Sequence, residues 1–129
     1  GEFNPFTDRG WATLAGCFGR AAGGATYRRL VDIGCGTGRS RAVYEDRVRE
    51  YLGLDLSFEA VSAASRRRQA GHWMQADALR LPLRADATDA VAFSSVLHHV
   101  PDMDAALAEA RRVVAPGGLV FAFDPNVLH

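Results

Sequence analysis

The chain has 129 residues, 48% of them apolar, which is enough to bury the core of a single domain. Fifteen basic residues, all of them arginine, balance fifteen acidic residues, and this zero net charge argues against a nucleic-acid partner. No apolar stretch approaches the ~20 residues of a membrane span, and the cysteines and histidines lack the spacing of a zinc site. We therefore expect neither a membrane nor a metal to take part in the function.

The chain is expected to divide into three segments. We interpret residues 1–3 as a remnant of cloning, residues 4–27 as a helical segment and residues 28–129 as the binding domain. Thr7 is a candidate N-cap for a helix over 8–20. One face of that helix carries Trp11, Leu14, Ala15 and Phe18. The helix packs this face on a sheet, folds over a bound ligand, or does both, and the sequence leaves these alternatives open.

Strands and helices alternate through the rest of the chain. Strands are predicted at 29–33, 50–55, 72–76, 88–94 and 118–124, and helices at 39–47, 57–70 and 102–114. Such alternation is typical of a parallel sheet with right-handed crossovers, in which ligands bind beyond the carboxyl ends of the strands. Pro116-Gly117-Gly118 is expected to end the last helix and lead into the fifth strand.

The segment Leu30–Ser40 turns a short apolar strand into a helix through glycines at 34, 36 and 38. Glycine permits a positive φ and a close approach of a ligand to the backbone. A dinucleotide fingerprint needs a third glycine where Arg39 stands, and Asp32 would repel a pyrophosphate bound at the bend. The motif therefore favours a nucleotide-type cofactor with a cationic tail, such as S-adenosylmethionine.

Two further acids follow the next two predicted strands. Asp55 lies 55 − 34 = 21 residues after Gly34, close to the roughly 20 residues expected for a carboxylate that binds ribose hydroxyls. Ser57 is the predicted N-cap of the helix that comes next. Asp77 either accepts a hydrogen bond from an exocyclic amine such as that of adenine or serves as a turn residue.

Five blocks of the chain, in this order, resemble class I S-adenosylmethionine-dependent methyltransferases of the small-molecule type. The blocks are Leu30–Ser40, Tyr51–Ser57, Gln75–Pro82, Asp89–Val100 and Arg111–Leu119. The resemblance implies an α/β fold, a Rossmann-like three-layer sandwich whose parallel sheet has the order 3-2-1-4-5. It also implies that the family's usual final two strands are lacking, so that the domain is expected to be incomplete at its C-terminus.

The same resemblance implies residues that bind S-adenosylmethionine. Gly34 and Gly36 would contact its methionyl part, with Asp32 near the amino group and Ser94 beside the tail.

At the other end, Asp55 would bind the ribose and Leu56 would pack on the adenine. Asp77 would accept from the adenine amine, next to the backbone of Ala78. The candidate cofactor site is therefore Asp32, Gly34, Cys35, Gly36, Gly38, Asp55, Leu56, Asp77, Ala78 and Ser94.

His98 and His99 follow the fourth predicted strand at the ligand edge, and imidazole titrates near neutrality. They are candidate catalytic bases for a small-molecule acceptor; the alternative is that they begin a helix or shape the pocket. Two other functions stay open. One is a nicotinamide-dependent oxidoreductase, against which Arg39 and Asp32 argue, and the other is a non-catalytic cofactor-binding or partner module.

Three further features bear on location and association. Cys35 lies inside the glycine turn, so we expect no disulfide with Cys17 and a reducing, cytoplasmic location. We interpret Arg66–Arg68 as the solvated end of a helix rather than a phosphate or nucleic-acid site. Residues 119–123 are expected to form an apolar strand at an open sheet edge, which predicts self-association through that edge.

Overall fold

The computed structural model describes residues 8–94 and 97–123 as a five-stranded parallel sheet with helices on both faces. The strands are β1 (Tyr27–Ile33), β2 (Val48–Asp55), β3 (His72–Gln75), β4 (Thr88–Ser94) and β5 (Val114–Phe123). The helices are α1 (Asp8–Ala22), α2 (Arg41–Tyr44), α3 (Phe58–Ser65) and α4 (Met103–Val113), with 3-10 turns at Glu45–Arg47 and Leu97–His99. The sheet order β3-β2-β1-β4-β5 confirms the predicted 3-2-1-4-5 topology.

Both faces of the central strand β1 are covered over its buried second half, Leu30–Ile33. On one face, Val31 and Ile33 join an apolar cluster with α4. On the other face, Leu30 joins a cluster with α1, in which Leu14 and Phe18 are buried. Three of the four residues of the predicted apolar face, Trp11, Leu14 and Phe18, therefore pack in this cluster on the sheet, whereas Ala15 is exposed. The second possible role of the helix, over a ligand, stays a prediction.

Two predicted boundaries differ from the structure. The helix predicted over 57–70 ends at Ser65, and it cannot extend to residue 70 because Arg68 has a φ of +55°, which does not continue a right-handed helix. The fifth strand begins at Val114 rather than at 118, so Pro116-Gly117-Gly118 lies inside the strand. The pairing jumps from Thr88–Val114 to Ala90–Leu119, and these residues form an irregularity in the strand rather than the end of the helix.

Several other predictions concern the described residues. Cys17 and Cys35 are both free thiols, as expected. The side chains of Arg66–Arg68 are exposed. No helix among the described residues is long and apolar enough to cross a membrane. The predicted cloning remnant at 1–3, the chain after residue 123 and the side chain of His98 lie outside the described residues.

Candidate functional site

The carboxyl ends of the parallel strands lie at one edge of the sheet. From there the chain leads from β1 to its neighbour on one side, β2, and from β4 to its neighbour on the other side, β5. Such a switch point is where open α/β sheets bind ligands. A cavity of about 310 Å³ lies at this edge, at the lower limit of the roughly 300–1,000 Å³ typical of ligand pockets. Its lining is mostly apolar and includes six of the candidate residues, Gly34, Asp55, Leu56, Asp77, Ala78 and His99.

The glycines of the turn after β1 are required for two different reasons. Gly36 has a φ of +55°, and a Cβ added there would meet nothing within 4 Å, so open space lies over its backbone. Gly38 has a φ of +90°, and its Cβ would lie 2.5 Å from Nε2 of Gln69 and 3.1 Å from the ring of Trp73. Gly36 therefore leaves room for a ligand, whereas Gly38 leaves room for the protein's own packing.

Backbone hydrogen bonds tie this turn to the end of β2. The N–H groups of Gly34 and Cys35 donate to the carbonyl of Leu54 at 2.8 and 3.0 Å. The Gly36 N–H donates to Oδ2 of Asp55 at 2.9 Å. The turn and the Asp55 carboxylate are thus fixed relative to each other before any ligand binds.

The Asp55 carboxylate retains capacity for a ligand. Its Oδ1 accepts from the N–H of Ser57 at 2.9 Å, while Oδ2 is bound to Gly36. A carboxylate offers about four acceptor positions, so about two are left for two hydroxyl groups of a ribose. Ser57 caps α3 as predicted, because its Oγ accepts from the N–H of Ala60 at 3.1 Å.

Asp32 is completely buried and is held by hydroxyl groups from three parts of the chain. Its Oδ2 accepts from Oγ of Ser40 at 2.5 Å and from the phenol of Tyr51, and its Oδ1 accepts from Oγ of Ser94 at 2.9 Å. Ser94 is also hydrogen-bonded to the Tyr44 hydroxyl. Burial raises the pKa of Asp32 to about 6, although the three hydroxyl donors act to lower it.

This environment limits how Asp32 can act on a ligand. The carboxylate does not line the cavity, and its oxygens already accept three hydrogen bonds. Its effect on a cation bound at the turn would be through its electric field, and its predicted place near an amino group stays a prediction. Ser94, predicted beside the methionyl tail, is half-buried and donates to Asp32.

Of the remaining candidates, Asp77 and His99 line the cavity, whereas the side chain of Cys35 is buried in the protein. The thiol of Cys35 is buried towards Gly53, and burial raises its pKa, so the main chain is the part of Cys35 that can face a ligand. Oδ1 of Asp77 accepts from the N–H of Leu79 at 2.9 Å, so this residue both forms a turn and lines the cavity. His99 lines the cavity from the segment after β4, whereas the His98 side chain is not described.

Comparison with known proteins places this site in a family. The sequence model described as "Methyltransferase domain" matches residues 31–122, and the chain belongs to this family. The matched range contains the glycine turn, Asp55, Asp77 and the segment after β4. This finding confirms the family that the sequence blocks resembled.

Individual relatives cover the same part of the chain. It is 36% identical over 92 residues to malonyl-[acyl-carrier protein] O-methyltransferase of Serratia marcescens, covering 71% of this chain and 36% of that protein. It is 36% identical over 98 residues to demethylmenaquinone methyltransferase of Renibacterium salmoninarum, covering 76% of this chain and 41% of that protein. The crystal structure of the YcgJ protein of Bacillus subtilis superposes with a TM-score of 0.79 at 26% identity, covering 88% of this chain and 50% of that one. The chain thus spans about two fifths of these curated relatives and about half of the solved structure.

Proposed function

We propose that this chain binds S-adenosylmethionine at the carboxyl edge of the sheet and takes part in methyl transfer to a small-molecule acceptor. The observation that carries the proposal is the open position over Gly36, directly beside the Asp55 carboxylate. A ligand seated there meets a backbone without side-chain obstruction and a carboxylate with acceptor positions to spare. Membership of the methyltransferase domain family supports the same function.

The lining residues fit the two ends of this cofactor. Asp55 would accept from the ribose hydroxyls, and Leu56, which is 69% exposed, would cover the adenine. Asp77 has one oxygen outside its turn hydrogen bond, which would accept from the adenine amine. The backbone of Gly34 and Gly36 would contact the methionyl part.

Bound S-adenosylmethionine supplies a methyl group on a sulfonium, which is activated without help from the protein. The chain's own residues then have to hold the reactants in line and exclude water, and such orientation contributes on the order of 7–11 kcal/mol to lowering a reaction barrier. The apolar lining of the cavity favours this exclusion of water. His99 would act as a base only for an acceptor that must lose a proton.

The names of two relatives specify a malonyl group on acyl carrier protein and demethylmenaquinone as acceptors. In both names the acceptor is an organic group or molecule, in the first case one carried on a protein. We therefore propose a small organic acceptor, and no nucleic acid, for this chain as well.

Titration calorimetry with S-adenosylhomocysteine and with NAD tests the proposal. We expect micromolar-range affinity for S-adenosylhomocysteine and no measurable affinity for NAD. An absence of S-adenosylhomocysteine binding, or tighter binding of NAD, would overturn the proposal. Binding without methyl transfer to any of a panel of carboxylate, phenol and quinol acceptors would instead identify a cofactor-binding module.

A further inference from the structure

The chain has two glutamines, Gln69, which precedes β3, and Gln75, which is the last residue of β3. Each donates its side-chain amide to the carbonyl of a turn that follows a strand. Nε2 of Gln69 lies 3.0 Å from the carbonyl oxygen of Gly38, in the turn after β1. Nε2 of Gln75 lies 2.9 Å from the carbonyl oxygen of Leu56, in the turn after β2. A carbonyl oxygen only accepts hydrogen bonds, so both amides must be donors. Neither glutamine lines the cavity.

The contact of Gln69 with the glycine turn is close and is reinforced by a second bond. A Cβ on Gly38 would lie 2.5 Å from Nε2 of Gln69, so the amide fills the space that a side chain at 38 would need. The next residue, Ala70, accepts a hydrogen bond from the guanidinium of Arg41, at the start of α2. The connection between α3 and β3 is therefore tied to both the end of the glycine turn and the helix that follows it.

Gln75 makes the corresponding contact with the turn that follows β2. Leu56 lies between Asp55 and Ser57, and its side chain lines the cavity. The N–H of Ala76, the residue after Gln75, donates to the carbonyl of Asp55 at 3.0 Å. One side-chain bond and one backbone bond thus join the end of β3 to the turn that carries Asp55.

We infer that Gln69 and Gln75 are positioning residues, which hold the two binding turns for opposite ends of S-adenosylmethionine. Gln69 fixes the glycine turn at the methionyl end, and Gln75 fixes the Asp55–Ser57 turn at the adenosyl end. Without Gln69 the carbonyl of Gly38 keeps only the longer hydrogen bond from the N–H of Arg41, at 3.3 Å, and without Gln75 the carbonyl of Leu56 loses its side-chain donor. Each turn then gains conformational freedom, and this freedom is lost again when a ligand binds. This inference rests on the proposed function.

Two ligands of different length separate these roles. S-adenosylhomocysteine spans both turns, whereas methylthioadenosine keeps the adenosine and lacks the amino-acid tail. Methionine has nearly the length of glutamine but no donor, so we use Gln69→Met and Gln75→Met, with Gln69→Glu and Gln75→Glu as second variants of unchanged shape. Arg67→Ala is the matched control, because its exposed side chain belongs to the same connection as Gln69.

We expect Gln69→Met to weaken binding of S-adenosylhomocysteine about three- to tenfold, the effect of one lost hydrogen bond, and to leave methylthioadenosine unchanged. Gln75→Met should weaken both ligands by about the same factor, three- to tenfold. Each Glu variant should follow the same pattern with a larger loss, because a carboxylate would face the carbonyl. Arg67→Ala should change neither affinity.

Calorimetry distinguishes positioning from a loss of folded protein. The stoichiometry reports the folded fraction, and the ratio of the two dissociation constants in one variant is independent of it. An unchanged ratio in both Gln69 variants, or unchanged affinities in both Gln75 variants, would overturn the inference while leaving the proposed function intact. A wild-type chain that does not bind S-adenosylhomocysteine would overturn the proposed function and this inference with it.

Discussion

Removal of the Asp55 carboxylate is the most direct perturbation of the candidate cofactor site. In the structure its two oxygens accept from the N–H groups of Gly36 and Ser57, each at 2.9 Å, which leaves about two acceptor positions for ribose hydroxyls. Hydrogen bonds to a charged group contribute about 1.5–3 kcal/mol. Asp55→Ala is therefore expected to weaken binding of S-adenosylhomocysteine by about 1.5–3 kcal/mol, or roughly 10- to 150-fold.

The same substitution has a second effect, which has to be measured separately. The N–H groups of Gly36 and Ser57 both lose their acceptor, so the free energy of unfolding should fall by about 1–3 kcal/mol. Urea unfolding gives this value, and calorimetry at a temperature where both proteins are folded gives the affinity. Asp104→Ala, which removes an exposed acid from the first turn of α4, is the matched control. Equal affinities of wild type and Asp55→Ala would refute the ribose assignment.

Three further predictions follow from other parts of the molecule. Gly36→Val should abolish S-adenosylhomocysteine binding in calorimetry, because a β-branched side chain is strained at a φ of +55° and would fill the open space; retained affinity would contradict the assignment. The raised pKa of Asp32, about 6 against 3.8, predicts that its contribution to stability is full below pH 4 and is lost as the pH rises through 6. The difference in unfolding free energy between wild type and Asp32→Asn should therefore shift by about 2 kcal/mol between pH 4 and 7, and a constant difference in urea titrations would show the pKa to be normal. Because β5 lies at the sheet edge, light scattering should show self-association that Ala122→Lys reduces, and a monomeric wild type at all concentrations would disprove it.

The features predicted correctly from the sequence are those that local chemistry determines. The apolar run into the glycine turn predicts β1, and a serine after Asp55 predicts the cap of α3. Both signals lie within a few residues of the structure they specify. The sheet order came from the family resemblance, which carries long-range information that a single sequence lacks.

The features that the sequence analysis missed depend on contacts between distant segments. The irregular start of β5 depends on which backbone groups meet across the fold, because a Cβ on Gly118 would lie 2.5 Å from the carbonyl of Asp89. Ser40 and Tyr51 gave no signal as partners of Asp32, because a serine before a helix and a tyrosine in a strand are ordinary residues there. Their role becomes visible only when the strands are side by side.

The hydroxyl groups around Asp32 also constrain the order in which parts of the chain can fold. The partners lie 8, 19 and 62 residues further along the chain, in that order: Ser40, Tyr51 and Ser94. During synthesis Asp32 thus emerges well before Ser94, and until β4 docks beside β1 its carboxylate lacks one donor and one flank of its strand stays open to water. Pairing between segments so distant in sequence is a slow step in folding. The glycine motif of the nascent chain therefore cannot by itself form the binding edge. That edge is expected to become rigid only after Ser94 has been made, which is after more than two thirds of these residues.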